Sequence, residues 1–162
     1  MATSQFLFDE MTANICWADH AADFSPTAAN NLQFGTPVEA QLTLASLGDA
    51  AGRQAAKVDL DDIYGLTGVW SPLILRAALE FTATPTAGEV VRFYWSPSSS
   101  ATAGTGNAGG VSGSDSAYAG YSSNLEASLK QLDFIGNFVV TAQAAGTVQV
   151  AEIGLLVPKL RF

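Results

Sequence analysis

Charged side chains are scarce in this sequence. Asp, Glu, Lys and Arg make up 14% of 162 residues, against 48% hydrophobic residues, whereas an ordinary soluble domain carries about 25% charge. A surface this short of charge is either covered by contacts or solvated by Ser, Thr, Asn and Gly. The seven basic residues, Arg53, Lys57, Arg76, Arg92, Lys130, Lys159 and Arg161, are scattered, and the net charge is −8. Scattered cations under a negative total supply neither the phosphate grip of a nucleic-acid binder nor a polybasic membrane segment. Cys16 is the only cysteine, so an internal disulfide is excluded. The apolar runs at 69–75 and 153–157 fall far short of the ~20 residues of a membrane span. Residues 1–10 lack the basic start and apolar centre of a secretory leader. The expected place of action is the producing cell, or a particle assembled there.

What is present is alternation. Val38, Ala40, Leu42 and Leu44 alternate with polar residues, the period of a half-buried strand. Residues 57–60 are a shorter strand candidate. Residues 73–82 read as a strand with Leu75, Ala77, Leu79 and Phe81 inward. Residues 89–96 read as another, with Val91, Phe93 and Trp95 inward. The Pro85–Gly88 turn chemistry between them predicts a hairpin. A second hairpin is expected from 134–142 and 147–157. Residues 1–36 show no sustained period and read as an extended arm with short strand pieces, preceding a domain at 37–162.

Residues 97–123 are almost wholly Ser, Gly, Ala and Thr, the composition of a flexible or extended surface loop. A helix follows, with Asn124 as N-cap, Leu125, Leu129 and Leu132 at helical spacing, and Lys130 four residues after Glu126. Short strands, frequent turns and one helix predict an all-β fold, an antiparallel β-sandwich or jelly roll.

The motifs that suggest chemistry are weak ones. Residues 104–109 match GxGxxG, but no strand leads directly in and no helix leads directly out, as the dinucleotide mechanism requires. His20 is the single histidine, which leaves little acid–base apparatus. Cys16 and His20 are two potential zinc ligands where a structural site needs four. Asp59, Asp61 and Asp62 form the densest acidic group, without the spacing of a calcium loop. They read as a solvated turn. Neither catalytic residues, nor a metal site, nor a cofactor is expected, and a hydrolase is the least favoured reading.

Phe93-Tyr94-Trp95-Ser96-Pro97-Ser98, the Gly-rich strings at 103–107 and 109–115, residues 128–136 around Leu132-Asp133-Phe134-Ile135-Gly136, and residues 146–154 ending in Glu152-Ile153-Gly154 together carry a resemblance. Over roughly 58–158 the chain resembles a family of tailed-bacteriophage virion proteins. The resemblance implies a jelly-roll capsid decoration (cement) protein, trimeric, whose partners are the major capsid protein and copies of itself, in a virion assembled in the host cytoplasm. It gives no support for the first 36 residues.

Aromatic residues outside a regular pattern are the candidate contacts: Phe6, Phe8, Trp17, Phe24 and Phe34 in the arm, and Tyr118 and Tyr121 at the end of the loop. The alternative is a tail or baseplate module that binds carbohydrate or a receptor through aromatics such as Trp70 and Tyr121.

Overall fold

A computed structural model of the chain describes residues 5–9, 14–20, 22, 37–45, 47–59 and 73–156. It is an all-β fold with one short helix. The elements are β1 (Gln5–Asp9), β2 (Asn14–Ala18), β3 (Val38–Gln41), β4 (Gly52–Gln54), β5 (Leu73–Glu80), β6 (Val90–Trp95), β7 (Ser116–Tyr118), α1 (Leu125–Leu129), β8 (Asp133–Val139) and β9 (Val148–Leu156). They form a five-stranded sheet ordered β3-β2-β1-β5-β9 and two ribbons, β6-β8 and β4-β7. All pairs are antiparallel except β2–β3.

Strands form over parts of the runs at 38–44, 73–82, 89–96, 134–142 and 147–157, but their partners differ. β5 pairs with β1 and β9, and β6 pairs with β8, so neither hairpin read from the sequence is a ladder. The turn residues 81–89 and 140–147 instead carry the chain between the five-stranded sheet and the ribbon. The ladder ends show it: Gly146 N–H donates to Phe81 O in one, and Gly88 N–H to Val140 O in the other. Gln149 holds the second turn, its Oε1 accepting from Thr141 N–H and Oγ1 and its Nε2 donating to Thr141 O, each at 2.9 Å. The strand candidate at 57–60 is not a strand over its described residues 57–59.

Of the segment read as an extended arm, the described strand pieces β1 and β2 belong to the large sheet. β1 sits at the centre of the large sheet, with Phe6 between Trp17 and Ala77 and Phe8 between Ile15 and Leu75 in register. Irregular spacing concealed these strands because β2 is closed on both faces: Ile15, Cys16, Trp17 and Ala18 are all buried. A strand covered on both sides shows no alternation. The core joins Ile15, Trp17, Leu75, Ala77 and Leu79 of the sheet to Trp95, Phe138 and Val140 from the ribbon. At roughly 25 cal/mol per Å² of apolar area removed from water, burying each large member contributes about 1.5–3 kcal/mol.

Where β8 passes β9, each strand carries the dipeptide Ile-Gly. A Cβ on Gly136 would collide with Ile153 O, and one on Gly154 with Ile135 O. Both ladders shift register at this level, between Phe93 and Tyr94 in one and between Leu75 and Arg76 in the other. The twin glycines let two main chains touch where side chains would hold them apart.

Candidate functional site

Two surfaces stand out, and both are built from the segment that follows β5. The first is the outer face of β6–β8. Successive strand residues point to opposite faces, so Val91, Phe93 and Trp95 pack inward while Val90, Arg92 and Tyr94 face out. The register sets Val90 opposite Val139, Arg92 opposite Asn137 and Tyr94 opposite Phe134. Val90, Phe134 and Val139 are 46%, 54% and 59% exposed. The Tyr94 and Phe134 rings meet edge to face, centroids 5.4 Å apart. The face therefore offers apolar groups at both ends and an exposed Arg92–Asn137 pair between them. Exposed apolar groups gathered on one face mark contact surfaces more often than chance.

The second surface is the strap of residues 97–123, which is organised around three side chains of the 52–58 segment. The Lys57 ammonium donates to Ser98 Oγ and Ser100 O at 2.8 Å, Thr102 O at 3.0 Å and Thr105 O at 3.1 Å. Three N–H groups serve four acceptors, so one is shared. Burial draws the Lys57 pKa down from the ordinary lysine value. Ser98 is fully buried, and its hydroxyl also reaches Ser100 O and Thr105 O. Arg53 donates to a single Asp115 oxygen, through Nη2 at 2.8 Å and Nε at 2.9 Å. Thr43 N–H reaches the same oxygen at 3.1 Å. Burial works to raise the Asp115 pKa, but the hydrogen bonds from Thr43 and Arg53 and the Arg53 charge hold it below the usual carboxylate value. Gln54 donates to Ser116 Oγ at 2.7 Å and accepts from Ser112 N–H at 2.7 Å.

The 52–58 segment is itself tied to the core. Ala56 N–H donates to Gln41 O at 2.9 Å, and Trp17 Nε1 donates to Ala56 O at 3.1 Å. Ala55 and Val58 pack on the core cluster. The strap is thus coupled to the large sheet through the 52–58 segment and, directly, through the Thr43–Asp115 hydrogen bond.

The candidate contact residues separate in this frame. Phe6 and Phe8 are on the central strand, and Trp17 is a core residue. Phe24 and Phe34 lie outside the described residues, as do Trp70, Asp61 and Asp62. Tyr118 is buried, its hydroxyl donating to Gly109 O at 2.7 Å. Burial pushes its pKa up, against a hydrogen bond with Ser128. Tyr121 is 73% exposed and remains available. Phe134, Val139 and Val90 were missed as contacts. Part of their signal lay in the strand Val90–Trp95, whose outward face carries Val90 and Tyr94 on either side of Arg92.

Cys16 is buried, and desolvation, with the Glu39 charge, raises its pKa to about 12; such a thiol is inert. His20 Nε2 lies 2.9 Å from Ala40 O, and Nδ1 lies 3.9 Å from Glu39 Oε2. Among the described residues no three His, Cys, Asp or Glu side chains gather to hold a metal ion, and no helix there is long and apolar enough to cross a membrane. The GxGxxG string lies in the strap, where residues 108–110 form a 3-10 turn with Gly109 at φ 66°. Comparison with family models, curated proteins and solved structures returned no match.

Proposed function

We propose that this chain is a structural protein of a virus particle: a capsid decoration protein that works by contact rather than catalysis. The outer face of β6–β8 carries this reading. It is a rigid ribbon, backed by Phe138 and Trp95 in the core, and it presents Val90, Phe134 and Val139 to solvent. A partner covering it gains apolar burial without stripping water from many charges. The low charge of the whole chain and the resemblance to bacteriophage virion proteins point the same way. The partners are the major capsid protein and further copies of the chain, arranged as trimers on the lattice. A jelly roll is the architecture that this role implies. One such ribbon is smaller than the ~1,600 Å² of a standard interface, so stable attachment uses several contacts per particle.

The test is co-sedimentation with virus particles from the genome that encodes the chain. The natural chain is expected to co-sediment and to raise the temperature at which particles release their contents. Replacing both Phe134 and Val139 by Ser should abolish retention while leaving the free chain folded. Unchanged retention of that double variant, or particles equally heat-resistant without the chain, would overturn the proposal.

A further inference from the structure

The strap encloses an open cleft whose chemistry differs from that of the docking ribbon. Its volume is about 670 Å³, and Gly104, Gly106, Asn107, Ser112, Tyr121 and Gln131 are among its lining residues. Every described residue of the lining is uncharged, in a chain of net charge −8. From this cleft we infer that the protein has a binding site for a neutral oligosaccharide.

Three features support a polyhydroxylated, uncharged ligand. First, the Tyr121 side chain is exposed while its backbone is fixed. Tyr121 N–H donates to the buried Ser128 Oγ at 2.8 Å. Gly110 abuts it so closely that a Cβ there would lie 2.9 Å from the Tyr121 Cβ. An aromatic ring with an immobilised root offers a flat apolar face at low entropic cost, suited to the C–H face of a sugar ring. Second, Gln131 and Asn107 bring carboxamides, which both donate and accept and so match vicinal hydroxyl pairs. Asn107 Nδ2 is engaged by Val111 O at 2.8 Å, while its Oδ1 is buried with no partner among the described residues. A buried acceptor without a partner is costly unless a hydrogen-bond donor comes to it. Third, Ser122 and Ser123 follow Tyr121 with φ of 51° and 58°, a left-handed pair that residues other than glycine seldom adopt. Strained backbone of this kind clusters at active sites, ligand clamps and switch regions. A charged ligand would lack a counter-charge here, and an apolar one would leave the amides unpaired.

The site is separate from the β6–β8 face, so its test is separate too. The ¹⁵N amide spectrum of the full chain is titrated with maltotriose, cellotriose and chitotriose, with sialyllactose as the anionic comparison. At least one neutral trisaccharide is expected to shift amides of residues 104–112 and 121 in a saturable way, with sialyllactose weaker. Tyr121→Ala should weaken binding at least tenfold, with the rest of the spectrum unchanged. Tyr121→Phe should retain most of the affinity, and Gln131→Ala should lose about threefold. Silence of those amides with all three neutral sugars, equal binding of sialyllactose, or indifference to Tyr121→Ala would each overturn the assignment and leave particle docking untouched. Loss of particle retention in Tyr121→Ala, with no sugar bound by the natural chain, would make the cleft a protein contact and also overturn it.

Discussion

The strap of residues 97–123 and the ribbon β6–β8 are neighbours in the chain, since β6 ends at Trp95, yet different forces order them. The ribbon is held by Trp95, Phe138 and Val140 against the sheet, and its order comes from apolar burial. The strap has few large apolar side chains to bury, and three polar side chains of the 52–58 segment grip it instead. Each force leaves its own signature outside: the ribbon shows apolar groups to solvent, and the strap shows main chain, hydroxyls and one tyrosine. Two regions of one small domain can thus meet different partners because they are stabilised in different ways.

Substitutions can break this contrast, and the largest effect is expected where the ribbon meets the sheet. Gly136→Val puts a side chain onto Ile153 O, and backbone cannot yield as a side-chain tip does. A loss of about 4 kcal/mol or more is expected, seen as a chain that no longer unfolds cooperatively in urea. Phe138→Ala empties a fully enclosed site and should lower stability by about 3–4 kcal/mol, measured from the urea midpoint. Lys57→Met strands the oxygens of Ser98, Ser100, Thr102 and Thr105; because water reaches some of them, the expected cost is about 2 kcal/mol. Its distinguishing mark is local: limited proteolysis should cut within 97–123 while the ribbon stays protected. If cleavage is unchanged, Lys57 does not hold the strap.

Acid offers a gentler probe of the same strap. The Asp115 pKa is depressed in the folded chain, so its contribution is complete above the unfolded carboxylate value of ~3.9 and fades as pH falls toward the folded value. Strap protection against amide exchange should therefore decline below about pH 4. Asp115→Asn should remove that dependence and cost about 1 kcal/mol at neutral pH. The smallest effect on stability belongs to Val139→Ser on the exposed face, within ~0.5 kcal/mol, although it should weaken particle retention.

The long strands β5, β6, β8 and β9 were legible from their alternation, the short β4 and β7 were not, and the partners were read poorly. Val91, Phe93 and Trp95 alternate, and their inward placement followed from that pattern; Asn124 caps α1 as expected, accepting from Ala127 N–H at 3.1 Å. The hairpins were misassigned because turn residues such as Pro85 and Gly88 report that the chain reverses, not whether it returns to the same sheet. The strap looked loose because most of the side chains that grip it lie far away in the sequence. The anchors are Arg53, Gln54 and Lys57, some forty to sixty positions earlier, and local composition carries no trace of them. The interior place of β2 was hidden by burial on both its faces. The exposed ribbon was half legible: Val90 and Tyr94 were placed outward, but their apolar character was not weighed.

The pairing of β5 with β9 around the enclosed β6–β8 ladder has a consequence for synthesis. β5 ends at Glu80 and its partner begins only at Val148, so on a translating ribosome that edge of β5 stays bare until residues 148–156 have emerged. Closure is therefore a step of high contact order, slow beside hairpin formation. During that interval the nascent chain depends on chaperones, or on its own negative charge, to avoid sticking to its siblings.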